Sequence, residues 1–373
     1  KEAWVNDSFG FRPEFVRLHN QLRYSLYGLP GARGVVIGRE GYLYEENYIR
    51  AVTGTDLLDT AELNSRCEKI ARAARLLQAE DVLLLVILAP GKGSYLPEYI
   101  PEKYGPPATV TNYVRWRDGL IGRGIPVLDF NAWFRGMKDT TRYPLYPKTG
   151  IHWSQYGVTL AVDSTVRYLE QELRLDLPDL RWENIELTTS ARDDDKDIED
   201  GMNLLFPLDR LTMAYPELII TGNGKQKVPV LTIADSYYWQ WFGSGIAERF
   251  FEPAEFWYYF EEAHVAASGQ PPKPVSELNL TEKLLAQRVI ILLSTDANLS
   301  RFDYGFSEQA IAALTHPKRA DEAEARIRRQ EADIRNTPDW YRQVIEKAKA
   351  RGIPVDSMLR LDALWVVEQK ANR

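Results

Sequence analysis

The segment VPVLTIADSYYWQ, residues 228–240, decides the fold. A run of aliphatic and β-branched residues stops at Ala234-Asp235-Ser236, and Tyr237-Tyr238-Trp239 then suits a turn into a helix. A short apolar run bounded by polar residues is the pattern of a parallel strand buried on both faces. Such a strand delivers the residue after it to the carboxyl edge of the sheet, where open α/β sheets bind their ligands. Ser236 at that edge is either a nucleophile, with helix-start N–H groups nearby to hold an oxyanion, or simply the cap of the helix that follows.

Three further runs share this character: VLLLVILAP (82–90), IPVLDF (125–130) and RVIILLST (288–295). Helical spacing over 57–78, 110–123 and 155–173 separates them, and strands alternating with helices give a doubly wound α/β domain. Before the first strand, Asn6-Asp7-Ser8 reads as a turn. Residues 13–27 read as an amphipathic helix carrying Phe15, Val16, Leu18, Leu22 and Leu26, and 35–47 as a hairpin around Gly38-Arg39-Glu40-Gly41. From 183 to 200 the periodicity is lost, and ARDDDKDIED places six acids in ten residues. That stretch is read as a solvated loop rather than a cation site, because no glycine-turned calcium loop is present. Beyond Lys318 the spacing gives a mixed-charge helix, a second opened by Thr337-Pro338 and closed by Gly352, and a third from Asp356 with Met358, Leu359, Leu361, Leu364 and Trp365 as its apolar stripe. These helices are expected to wrap the core. No internal repeat is visible.

Composition bounds the function. With 373 residues, 45% hydrophobic and 27% charged, the chain has the make-up of a folded protein with a sizeable core. A net charge of -7 argues against a nucleic-acid partner. The lone Cys67 excludes an intramolecular disulfide and a cysteine zinc site, and no run is long and apolar enough to span a bilayer. The absence of a P-loop, a dinucleotide fingerprint and an HExxH motif leaves no cofactor or metal to expect. Because the sequence starts at Lys1, a signal or anchor ahead of it remains an expectation.

A serine nucleophile needs a base, and the chain offers His19, His152, His264 and His316. His19 belongs to the first helix and His316 precedes the charged tail. His264, ahead of a Gly/Pro-rich loop, is the rival to His152, which follows the Lys148-Thr149-Gly150 turn and precedes a helix. Its neighbour Trp153 is placed to wall a pocket. Alternatively, His152 is a packing residue. Trp239, Trp241, Phe242 and FWYYF (256–260) suit either a sugar-stacking groove or a buried aromatic cluster.

Five ordered segments, spanning about residues 7–306, resemble the SGNH-hydrolase-like domain of the alginate O-acetyltransferase family, the AlgJ and AlgX type. NDSFGFR (6–12) is similar to the family's opening D-x-F-G-F-R, VVIGREGYLY (35–44) to its V-x-G-K-x-G-W-L-F hairpin, and LAPGKGSYLPEYIP (88–101) to its P-x-K-x-x-x-Y-P-E-x-x-P segment. HWSQYG and ADSY then occupy the histidine and nucleophile positions, in that order.

The resemblance implies a three-layer α/β/α sandwich with a mainly parallel sheet and histidine before serine, over residues 1–306, with 307–373 a helical extension packed on it. It implies acetyl transfer to, or removal from, hydroxyls of an extracytoplasmic polysaccharide, in the periplasm or at the cell surface. A membrane-bound O-acyltransferase partner would supply the acetyl group, and we expect a monomer. Carried over by position, Ser236 is the acetylated nucleophile and His152 the general base. The Ser236 N–H forms part of the oxyanion hole, and Lys92, Tyr237 and Tyr259 stand on the substrate or oxyanion side. For Lys92, a salt bridge fixing its loop is the alternative. The departure is Gly150, where the family carries its triad aspartate two residues before the histidine. Asp235, Asp139 or Asp129 then supplies the acid, a backbone carbonyl holds the ring, the pair works as a dyad, or the fold persists as a catalytically impaired carbohydrate-binding or assembly protein.

Overall fold

Successive residues of the apolar strands go to opposite faces of one sheet, as the two-residue period of a strand requires. The computed structural model describes residues 11–222, 224–315 and 327–371; the Asn6-Asp7-Ser8 turn, His316 and the start of the charged tail lie outside them. The hairpin is β1 (Val35–Ile37) and β2 (Leu43–Glu45), joined through Gly41 at φ 76°. β3 (Leu83–Ala89) and β4 (Val127–Asp129) follow, then an antiparallel pair, β5 (Asp179–Thr188) and β6 (Met213–Thr221). β7 (Val228–Ala234), β8 (Phe251–Tyr258), β9 (Glu262–Val265), β10 (Lys273–Pro274) and β11 (Val289–Thr295) complete the set. The main sheet has the order β10-β9-β8-β7-β11-β3-β4. It is parallel from β8 to β4 and antiparallel at the β9 and β10 edge.

Each face carries its own core. Leu85, Ile87, Ala89, Val230, Ala234, Ile291 and Leu293 pack on one side with Val158, Ala161, Val162, Val166 and Leu169 of the helix Gln155–Leu173 and with Tyr48 and Ile49 of the helix Glu46–Thr53. Leu84, Val86, Leu88, Leu231, Ile233, Ile290 and Leu292 pack on the other. Their partners are Cys67, Ile70 and Leu77 of Thr60–Gln78, Trp116 and Leu120 of Asn112–Ile121, and Phe306 and Ala310 of Phe306–Thr315. This is the expected three-layer α/β/α sandwich. At roughly 1.5–3 kcal/mol for each large apolar side chain withdrawn from water, the two clusters are the main source of stability.

The helix Phe306–Thr315 is part of the sandwich, although the sequence assigned it to the extension. The rest of the extension, helices 327–335, Pro338–Arg351 and Val355–Ala371, builds a separate small core from Ile327, Ile334, Val344, Ala348, Met358, Leu359 and Ala363. Leu361 and Trp365, expected on its buried stripe, are exposed. Ser357 and Arg360 tie this unit to Glu277 and to the Ser276 carbonyl.

Candidate active site

β7 hands its chain over to Ser236 at the carboxyl edge, where Ala234 pairs with Leu293 of β11 and Tyr258 of β8. Asp235 fixes that handover. Its Oδ2 accepts from the Thr295 N–H (2.8 Å), the Thr295 hydroxyl (2.8 Å) and Asn298 Nδ2 (2.9 Å), and its Oδ1 accepts from the Tyr237 N–H (3.2 Å). Asp235 therefore ties the end of β7 to the end of β11 and caps the 3-10 turn Ser236–Tyr238. Its carboxylate is fully buried in that work, so its expected place as the acid behind the histidine is corrected. The Ser236 N–H stands at the head of the turn with no hydrogen-bond partner among the described residues.

The base arrives from the other direction. Ser154 caps the helix Gln155–Leu173 by accepting from the Gly157 N–H (3.0 Å) and is itself anchored to the Pro144 carbonyl (2.8 Å). Trp153 is fully buried among Phe134, Tyr237 and Trp241, an anchor in the core rather than a pocket wall. Between these fixed points, His152 Nε2 lies 2.9 Å from Ser236 Oγ. Tyr237 packs its ring 4.9 Å from the imidazole and donates its hydroxyl to the Ile151 carbonyl (2.8 Å). It too is fully buried, so it supports the histidine from behind and does not stand on the substrate side.

The carboxylate that reaches His152 is Asp197, with Oδ2 2.5 Å from Nδ1. Its Oδ1 accepts from the N–H groups of Ile151 (2.8 Å) and Ile198 (2.7 Å), so the acid grips both the histidine and the chain beside it. Asp129 instead caps the helix Phe130–Met137 through the Ala132 N–H and accepts from the Tyr113 hydroxyl. Asp139 lies near Tyr95, whose hydroxyl pKa, raised mainly by burial, it raises further. Both are corrected as triad candidates.

Gly150 makes room for the segment that carries Asp197. A Cβ built on it would stand 2.2 Å from the Asp194 carbonyl oxygen and 2.8 Å from the Asp195 carbonyl carbon. The acidic stretch thus lies flush against the bare glycine backbone, in the space a side chain there would fill. It is no solvated loop. Asp195 is 2% exposed and bonded by the Tyr215 hydroxyl (2.7 Å), and burial pushes its carboxyl up to about 7. Glu199 is clamped by Arg210 (2.6 and 2.8 Å), and the helix Asp197–Met202 begins with the acid itself.

Burial alone would lower the His152 pKa, but the Asp197 hydrogen bond and charge outweigh it and the net shift is upward. His152, Asp194 and Asp197 each offer one ligand atom within 4.8 Å of the others, the one such group among the described residues. A cation there would have to displace the proton between Nδ1 and Asp197.

Lys92 is fully buried and does not face a substrate. Its Nζ donates to the carbonyls of Lys148 (2.8 Å) and Gly150 (2.7 Å), over the rings of Tyr42 and Tyr44. Burial lowers its pKa to about 7 against the opposing charge of Asp197. Neither expectation holds: the lysine secures the histidine loop through backbone carbonyls, not through a salt bridge.

Tyr259 remains at the edge of the site. Its N–H donates to the Ala234 carbonyl (2.9 Å) and its half-buried ring lies under the Arg301 guanidinium, 4.7 Å away. Trp241 and Phe256 are buried, whereas Trp239, Phe242 and Tyr258 are half-buried, so the aromatics are mainly a packed cluster. His264 sits inside it, edge-on to Trp239.

Serine, histidine and aspartate stand in a line whose geometry matches what acyl transfer through a serine requires of a nucleophile, its base and the group that orients the base. No curated protein sequence matches the chain. Among solved structures, it is similar to the O-acetyltransferase domain of Pseudomonas putida AlgJ, at 17% identity over 76% of this chain and 99% of that one, with a TM-score of 0.47. For Pseudomonas aeruginosa AlgX the figures are 14%, 75%, 67% and 0.49, and for Bacillus cereus PatB1 11%, 71%, 96% and 0.43. Residues 35–210 match the family model for the SGNH hydrolase-like domain of the acetyltransferase AlgX, a span that holds His152, Gly150 and Asp197 and ends before Ser236. What the comparisons give is therefore a similarity of residues 35–210 to the SGNH hydrolase-like domain of AlgX.

Proposed function

We propose that the protein is an extracytoplasmic serine O-acetyltransferase or acetylesterase that acts on polysaccharide hydroxyls through an acetyl-Ser236 intermediate. The observation that carries this reading is the line Ser236 Oγ, His152 Nε2 and Nδ1, Asp197 Oδ2, with gaps of 2.9 and 2.5 Å. His152 takes the Ser236 proton as Oγ attacks the acetyl carbonyl, and Asp197 holds the ring in the tautomer that leaves Nε2 free to accept. The unpaired Ser236 N–H supports the tetrahedral oxyanion. The leaving group departs with the proton from His152. A second hydroxyl, from a sugar or from water, then gives its proton to His152 as it attacks the acetyl carbonyl, and His152 passes that proton to Ser236 Oγ as the bond from Oγ to the acetyl group breaks.

The polysaccharide acceptor, the periplasmic or cell-surface location and a membrane-bound O-acyltransferase donor are carried over from the resemblance of the sequence segments to the alginate O-acetyltransferase family; the matched model adds an acetyltransferase. The alternative of an impaired, merely binding relative loses its main support, since the acid missing at Gly150 is supplied by Asp197. The test is p-nitrophenyl acetate turnover, with intact-mass detection of an acetyl adduct. Wild type should turn over the ester and carry the adduct, and Ser236→Ala should do neither. Equal rates in the two proteins would refute the assignment.

A further inference from the structure

The helix Arg12–Tyr27 is attached to the domain by its polar side. Arg17 Nε donates to the Leu204 carbonyl (2.9 Å) and Asn20 Nδ2 to the Met202 carbonyl (3.0 Å), and Gln21 accepts from the Phe206 N–H (3.1 Å). Tyr24 packs on the core beside them. Asn20, Gln21 and Tyr24 are the half-buried residues of this helix, and none is fully buried. At about 100° per residue, Phe11, Leu18, Leu22 and Leu26 fall within a sector of roughly 80° on the opposite side. They are exposed by 68, 41, 48 and 67%, and Leu29, just past the helix, by 45%. An amphipathic helix normally turns such a stripe inward. This one turns it out.

The flank beside the stripe is cationic, since Arg12 and Arg23 share it. Between Phe11 and Leu29 there are three arginines against one glutamate, in a chain whose net charge is -7. We propose that this face docks on an anionic lipid surface, with the helix lying in the plane of the headgroups, its leucines and Phe11 in the acyl boundary and its arginines among the phosphates. A second copy of the chain is the weaker occupant. An antiparallel pair that laid stripe on stripe would also set the two cationic flanks against each other. The backbone that the helix grips, 202–206, continues directly from the helix Asp197–Met202, so a lipid-bound helix would hold the acid's side of the site close to the membrane.

The test is sedimentation of the described protein with vesicles of phosphatidylcholine and phosphatidylglycerol in equal parts, beside vesicles of phosphatidylcholine alone, at low and high salt. Wild type should pellet with the anionic vesicles and be released by salt. Arg12→Gln with Arg23→Gln should bind about 25-fold more weakly, at about fivefold per arginine. Leu18→Ser with Leu22→Ser should stay in the supernatant while keeping the wild-type melting temperature and p-nitrophenyl acetate rate. Binding that ignores lipid charge, or that survives the leucine changes, would overturn the proposal. So would a wild-type dimer in sedimentation velocity, abolished by the leucine changes, with no vesicle binding. Since the readout is binding, it stands or falls separately from the catalytic assignment.

Discussion

An aspartate placed at position 150 should damage this protein rather than improve it. In Gly150→Asp the new Cβ would begin 2.2 Å from the Asp194 carbonyl oxygen, about 1.2 Å inside ordinary contact, and that neighbour is backbone. The 194–197 segment must retreat by about that amount, taking Asp197 from its 2.5 Å bond to His152. A misplacement of about 1 Å costs on the order of 10²-fold in rate, and full loss of the orienting acid about 10⁴-fold. The expected fall in kcat for p-nitrophenyl acetate therefore lies between about 10² and 10⁴, or roughly 3–5.5 kcal/mol of barrier. Gly150→Ala should fall within the same range, because the methyl group alone makes the clash. In an Asp197→Asn background, Gly150→Asp should restore nothing. A Gly150→Asp enzyme as fast as wild type, or one that rescues Asp197→Asn, would refute the reasoning, since the position would then accommodate a side chain and the two acids would be interchangeable.

The other expectations follow from the same contacts. Catalysis needs neutral His152, whose pKa is raised, so kcat/KM should climb with pH through a midpoint above 6.5. Asp197→Asn removes the hydrogen bond and charge that raise it while burial, which lowers it, stays; the limb should move to lower pH as the plateau drops by about 10⁴. Lys92→Met leaves the buried Gly150 carbonyl without its donor, while the Lys148 carbonyl keeps the Leu43 N–H, and should lower stability by about 1–3 kcal/mol in urea titration. It should also reduce kcat with little change in KM for a small ester, as expected of a residue that positions His152 without touching substrate. Asp235→Ala leaves the Thr295 N–H and hydroxyl without their acceptor and the Asn298 amide with only the Thr295 hydroxyl oxygen (3.3 Å), and should cost about 3 kcal/mol or more in the same titration.

What the sequence made legible, and what it hid, follows from where each signal is written. The strands β3, β7 and β11 are short apolar runs because both faces of each are covered, and a buried strand announces itself in composition. β5 and β6 do not: β5 is mostly exposed, its apolar residues are spaced among charges, and its partner lies 25 or more residues away in the chain. His152 and Ser236 were found because each sits at an element boundary that the residue pattern marks.

Asp197 was hidden because it stands among six acids in ten residues, a pattern that resembles a solvated loop. One signal for it did exist, and it was the absent side chain. A glycine immediately before the core Ile151 and His152 leaves a bare stretch of backbone. Buried backbone must be covered by something that also satisfies its polar groups. Here the Gly150 carbonyl takes Lys92, and the Ile151 N–H takes Asp197 Oδ1. The covering segment brings its own carboxylate, so Gly150 marks the place at which a second segment had to dock. The bare backbone at position 150 and the carboxylate 47 residues later are therefore one structural arrangement. Asp197 can work only while position 150 stays empty of a side chain, and the Gly150→Asp and Asp197→Asn pair tests that dependence in both directions.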